Sequence, residues 1–102
     1  MYLMVTSSYP ADKVKDAANT YVKMMAKYPD DTGLMTPLVQ CSVKTTLEGI
    51  HITHISEVKK GKLEDAFEYA IKRMTMFYDI PGYKWQIEIT LNIDEALKTI
   101  GM

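Results

Sequence analysis

The chain predicts an α+β domain: a four-stranded antiparallel sheet covered by two helices on one face, with a short helix at the C-terminal end. Three observations carry that prediction. Apolar residues change period along the chain, recurring every second residue in some segments and every third or fourth in others. Proline and glycine fall between those segments rather than inside the helical ones. The 102 residues, 11.6 kDa, match one domain of the common size of about 100–150 residues, so residues 1–102 are expected to share one core.

Residues 2–8, Tyr-Leu-Met-Val-Thr-Ser-Ser, favour a first strand, which Tyr9-Pro10 closes because proline has no N–H to give a ladder. From Ala11 the spacing changes. Val14, Ala17, Ala18, Tyr21, Val22, Met25 and Tyr28 form one apolar stripe at helical spacing, ended by Pro29. After the turn-rich Pro29-Asp30-Asp31-Thr32-Gly33, residues 37–47 and 50–59 read as a hairpin turning at Glu48-Gly49. Leu63, Ala66, Phe67, Ala70, Ile71, Met74 and Phe77 make a second helical stripe over about 62–78. Tyr83, Trp85, Ile87, Ile89 and Leu91 then alternate with Lys84, Gln86, Glu88 and Thr90, the period of a strand with one buried face. Trp85 is expected against Phe67 or Ile71. Asn92 and Glu95 stand in capping-box spacing, predicting a helix over 93–100 that stops at Gly101.

The order β-α-β-β-α-β is that of the ferredoxin-like split βαβ motif, here with an added helix. The helices echo each other 49 positions apart, as in Asp16/Asp65, Ala17/Ala66, Lys23/Lys72 and Met25/Met74, a pattern that a shared need for an apolar stripe also explains in part.

Composition narrows the function. Apolar residues are 47% and charged residues 25%, ordinary for a globular chain. The charge is −1 and evenly spread, with 5 basic and 5 acidic residues in 1–50 and 7 and 8 in 51–102, so no segment recruits nucleic acid. The candidate central strand at 50–59 contains no aromatic ring for base stacking. The single Cys41 excludes an internal disulfide and the paired thiols of many zinc and redox sites, and a reducing, cytoplasmic setting is expected. Met1–Val5 lacks the basic flank and length of a signal peptide, and no apolar run reaches the ~18 residues of a membrane span. Neither a cofactor nor a metal is expected.

With Leu47 opposite Ile50, one sheet face collects Val39, Cys41, Val43, Thr45, Leu47, Ile50, Ile52, His54, Ser56 and Val58. The other collects Gln40, Ser42, Lys44, Thr46, His51, Thr53, Ile55 and Glu57, joined by Lys84, Gln86, Glu88 and Thr90. The first face is expected under the helices. His51 and His54 point to opposite faces, so they do not chelate jointly. His54 reads as a hydrogen-bonded histidine of the core side and Cys41 as a small buried hydrophobe. On the polar face, His51 is the acid–base candidate, opposite Thr46, and His51, Thr53, Lys44, Gln86 and Glu88 are the candidate ligand-binding set. The competing reading of that face is a solvated one, common in antiparallel sheets.

The layout resembles the dimeric α+β barrel superfamily, whose ferredoxin-like protomers place their sheets face to face. The resemblance covers the whole chain as element order and rests on no signature motif. It implies a homodimer with a small-molecule pocket between sheet and helices or between the two sheets, possible acid–base catalysis, and no nucleic-acid or membrane partner. The alternative class is a ligand-free interaction module that docks another protein on its polar face.

Overall fold

The computed structural model describes residues 1–102. Strand β1 (Tyr2–Tyr9) leads through a 3-10 turn at Ala11–Lys13 into helix α1 (Val14–Lys27). The hairpin β2 (Met35–Thr46) and β3 (Gly49–Val58) follows, then α2 (Leu63–Thr75), β4 (Lys84–Thr90) and α3 (Ile93–Thr99). The sheet is open and antiparallel, in the order β2-β3-β1-β4. Strand order and helix count fit a ferredoxin-like fold, with β2 and β4 at the edges. No helix is long and apolar enough to cross a membrane.

Strand β1 sits between β3 and β4 and alternates strictly, with Leu3, Val5, Ser7 and Tyr9 buried and the residues between them half-buried. The buried row meets Ala66, Ala70 and Met74 of α2 and Ala17 and Met24 of α1. Leu3 and Ala66 are both fully inaccessible, because alanine's small side chain lets α2 lie close to the sheet. Burying one leucine of this kind contributes roughly 1.5–3 kcal/mol. At one end of the core, Tyr83 stacks between Tyr9 and Phe77, at centroid distances of 5.4 and 4.6 Å.

Helix α1 covers the sheet less completely than its stripe predicts. Ala17 and Met24 are buried, whereas Val14 and Val22 are 44% and 68% exposed. Strand β4 keeps the predicted alternation, with Tyr83, Trp85 and Ile87 half-buried, but Ile89 emerges as an exposed residue. The Trp85 ring stacks on Tyr78, just beyond α2, at 6.0 Å. Asn92 and Glu95 close the capping box in both directions at the start of α3.

The hairpin differs from the sequence expectation. Thr45 lies opposite Ile50 and Lys44 opposite His51, so the loop is Leu47-Glu48 and the register is displaced by two residues from the Leu47–Ile50 pairing. A displacement of two keeps every side chain on its face. The cause lies at Thr46, whose hydroxyl accepts from Glu48 N–H and donates to the Gly49 carbonyl, drawing the turn forward. Gly49 is buried in the strand with φ 132°, and a Cβ there would stand 2.4 Å from the Tyr9 carbonyl oxygen. Gly82 at φ 80° is pressed against the Pro10 ring in the same way, so both connections close on the Tyr9-Pro10 corner. Farther along β2, irregularities between Pro37 and Ser42 reset the pairing and set Val39 opposite Ile55. Cys41 stays on the helix side of the sheet, but no helix covers it, and the thiol expected in the core is exposed.

Candidate functional site

All five polar candidates lie on the sheet face away from α1 and α2. One row runs Lys44, His51, Ser8, Lys84 across the four strands, and the next runs Ser42, Thr53, Thr6, Gln86. Glu88 follows opposite Met4. The cross-strand partner of His51 on β2 is therefore Lys44, not Thr46. Of the five, only His51 and Gln86 line a common depression, a shallow groove shared with Thr6, Ser8 and Lys84. Gln86 donates to the Glu88 carboxylate at 3.2 Å, while Lys44 and Thr53 lie outside the groove. His54 is paired with Val5 on the opposite face, so the two histidines stay apart. No group of three His, Cys, Asp or Glu side chains is placed to hold a metal ion.

The larger concavity is on the helix side. A cavity of about 340 Å³ lies between the sheet and α1, and 17 of its 22 lining residues are hydrophobic. Leu3 and Val5 form its sheet wall, Ala17 and Ala18 its α1 wall, and Ala70 and Met74 its α2 wall. Alanines create the space, since each leaves room that a larger residue at the same helical position would fill. Val22 and Cys41, both exposed, mark the rim between α1 and β2. The size and the apolar lining with a few polar groups are those of small-molecule sites generally.

The polar groups form a connected set at one end. Arg73, only 7% exposed, donates from Nε to the Tyr28 carbonyl at 3.0 Å and from Nη2 to Asp30 Oδ1 at 3.2 Å. Asp30 Oδ2 accepts from Gln40 Nε2 at 2.8 Å. The Gln40 carbonyl lies 2.7 Å from His54 Nδ1, and His54 Nε2 lies 2.7 Å from the Ser56 hydroxyl. A carbonyl only accepts, so Nδ1 carries the proton and Nε2 of the neutral ring accepts from Ser56. The pairing of Ser56 with His54 has the distances of a nucleophile and its base. Ser56 is 1% exposed, however, and out of reach of any substrate. Its role is to satisfy the histidine.

The surroundings act on the protonation of the lining residues. Burial raises the pKa of Tyr9, Tyr21 and Tyr83 above 10.0. For Tyr21 the negative charges of Cys41 and Asp30 add to the rise and Arg73 opposes it. Burial also pushes the Cys41 thiol up although its residue surface is exposed, because one side of the side chain lies against the apolar rim. A thiol so placed is a poor nucleophile.

No known family's sequence model matches the chain, and no curated protein matches it. Among solved structures, formyltetrahydrofolate deformylase from Pseudomonas putida KT2440 is similar over 88% of this chain and 29% of its own, with a TM-score of 0.55 and 5% sequence identity. The chain thus spans under a third of the deformylase's length. A protein of Agrobacterium tumefaciens is similar over 91% of this chain and 96% of its own, at 14% identity and a TM-score of 0.45. The likeness to the deformylase is one of fold.

Sequence reasoning missed Arg73 and Asp30. The signal for Arg73 was present: it stands seven residues after Ala66 and four before Phe77, a charged residue on the core stripe of α2. Asp30 carries no comparable signal, since it lies in a turn and meets Arg73 only through the tertiary fold.

Proposed function

We propose that this protein binds a small, predominantly apolar molecule in the cavity between the sheet and α1. The observation that carries the reading is the cavity itself: about 340 Å³ walled mainly by apolar side chains, with one charged pair at its end. Apolar walls of that extent gain from a ligand close contacts that water does not supply. Four methionines in the wall, Met24, Met25, Met35 and Met74, suit a site that adapts to its occupant. NMR titration with ethylbenzene tests this. Shifts concentrated at Ala17, Ala70 and Met74, abolished by Ala18→Trp in the α1 wall, are expected; shifts scattered over the surface, or none, would overturn the reading.

The reading includes a homodimer in which a second copy covers the polar sheet face. Its support is that α1 and α2 pack on the other face, together with the edge position of β2 and β4, whose outer backbone groups need cover or solvent. In such a dimer His51 is the acid–base group available, because both nitrogens of His54 are engaged within the protomer. Light scattering is expected to give twice 11.6 kDa; a monomer mass would remove the enclosed-face part of the proposal. A second reading, docking of another protein, is favoured by the exposed apolar residues of the β2 arm, Leu38, Val43 and Leu47. Loss of that partner on Leu47→Lys, with ethylbenzene binding intact, is the result it requires.

A further inference from the structure

We infer that the occupant of the cavity is a neutral molecule, apolar over most of its surface and carrying one carbonyl-type oxygen that Arg73 and Tyr21 hold. This rests on the small-molecule reading above and specifies the chemistry of its ligand.

The inference comes from counting hydrogen-bond capacity at the polar end. Asp30 accepts on both oxygens, from Arg73 and from Gln40. His54 uses both ring nitrogens. Arg73 donates from Nε and Nη2, but its Nη1 has no partner in the protein, and neither has the Tyr21 hydroxyl. No fully buried side-chain nitrogen or oxygen lacks a partner, so both of these atoms touch open space, and both residues line the cavity. Tyr21 stands one helical turn before Met25 on α1, and the Met25 sulfur accepts from Arg73 Nη2 at 2.9 Å, which puts the two donors at the same end. What remains to be satisfied there is donation, by a guanidinium that has no acceptor atom and a phenol.

Charge then selects among acceptors. Arg73 and Asp30 are the cavity's two charged residues and they pair with each other, leaving the end formally neutral. A carboxylate ligand would add an unbalanced negative charge beside Asp30 in apolar surroundings. A pure hydrocarbon would keep water from the donors without replacing its hydrogen bonds. A ketone, aldehyde, ester or amide oxygen meets both conditions.

The test compares acetophenone, ethylbenzene and phenylacetate, which have the same number of carbons, by NMR titration of the full chain. Acetophenone is expected to bind about two- to tenfold more tightly than ethylbenzene, the range of one net hydrogen bond, and more tightly than phenylacetate. Tyr21→Phe is expected to remove much of that advantage and leave ethylbenzene unchanged. Asp30→Asn, which unbalances Arg73, is expected to raise phenylacetate relative to acetophenone. Equal binding of the ketone and the hydrocarbon, insensitive to Tyr21→Phe, overturns the inference and leaves the small-molecule reading standing. Phenylacetate binding most tightly to the unaltered chain overturns neutrality. Failure of all three to bind overturns both proposals.

Discussion

His54 and His51 are the same side chain on one strand with opposite duties, set by the pleat. His54 ties the Gln40 carbonyl of β2 to the buried Ser56 hydroxyl, and His51 stands on the open face above Ser8. His54→Ala is expected to cost about 1–3 kcal/mol, because it leaves the Ser56 hydroxyl buried and unpaired. His51→Ala is expected to stay within about 0.5 kcal/mol, as for a surface change. Thermal melts of the two variants check the order, and a larger loss for His51→Ala would mean that the sheet faces are exchanged. The faces were legible from the alternation of 50–58. The residue opposite each histidine was not, because Gly49 has the usual composition of a loop and in fact sits in the strand, where only a residue without Cβ fits against Tyr9. Cys41 was expected in the core because alternation gives its face but not whether a helix lies above it, and it stands at the cavity rim.

Among the elements, α3 was the most fully legible, since a capping box is a local device whose two hydrogen bonds join residues three apart. Asn92→Ala is expected to destabilise the protein by about 0.5–2 kcal/mol, with the loss confined to α3 in hydrogen exchange. Glu95 also receives the Met1 ammonium group, and its carboxyl is held below the ordinary value of 4.5, chiefly by that contact and then by the Asn92 N–H. A depressed folded pKa contributes stability above the unfolded value and loses it as pH falls through the folded one. Acetylating the N-terminus is therefore expected to move the Glu95 titration upward and to weaken its share of acid stability, as read by carboxyl NMR. An unchanged titration would place the Met1 ammonium group away from Glu95. The helix α1 stripe was less legible. Its period was right, but Val22 remains exposed at the cavity rim and Val14 at the first position of the helix.

At the scale of the molecule, the order of elements followed from period and turn residues, while the cavity did not. It arises from small residues of α1 and α2 over one face of the sheet, and its polar end joins Asp30, Gln40, His54 and Arg73 from four parts of the chain. Such coincidences are tertiary. The same packing predicts alkaline behaviour. Tyr9, Tyr21, Tyr69 and Tyr83 all have pKa values raised above 10.0, first by burial. A raised folded pKa gives stability that is complete below the unfolded value and is lost as pH rises through the folded one. Denaturant midpoints are thus expected to hold up to about the ordinary tyrosine pKa of 10.0 and to fall beyond it. A flat profile through that range would show the phenols to be solvated.

The Tyr9-Pro10 corner, with Gly49 and Gly82 pressed on it, also governs where this fold can be lengthened. Two connections distant in sequence abut one corner, Gly49 on the Tyr9-Pro10 backbone and Gly82 on the Pro10 ring, so an added residue in either has no volume to enter and must displace that corner. At the opposite extreme stands Gly61, around which a Cβ would meet nothing within 4 Å. A foreign segment spliced at Lys60-Gly61 is expected to leave the melting temperature nearly unchanged, whereas the same segment placed between Glu48 and Gly49 should abolish cooperative unfolding. Natural length variation among chains of this architecture would be channelled by that contrast, accumulating at the β3–α2 connection and avoiding the corner.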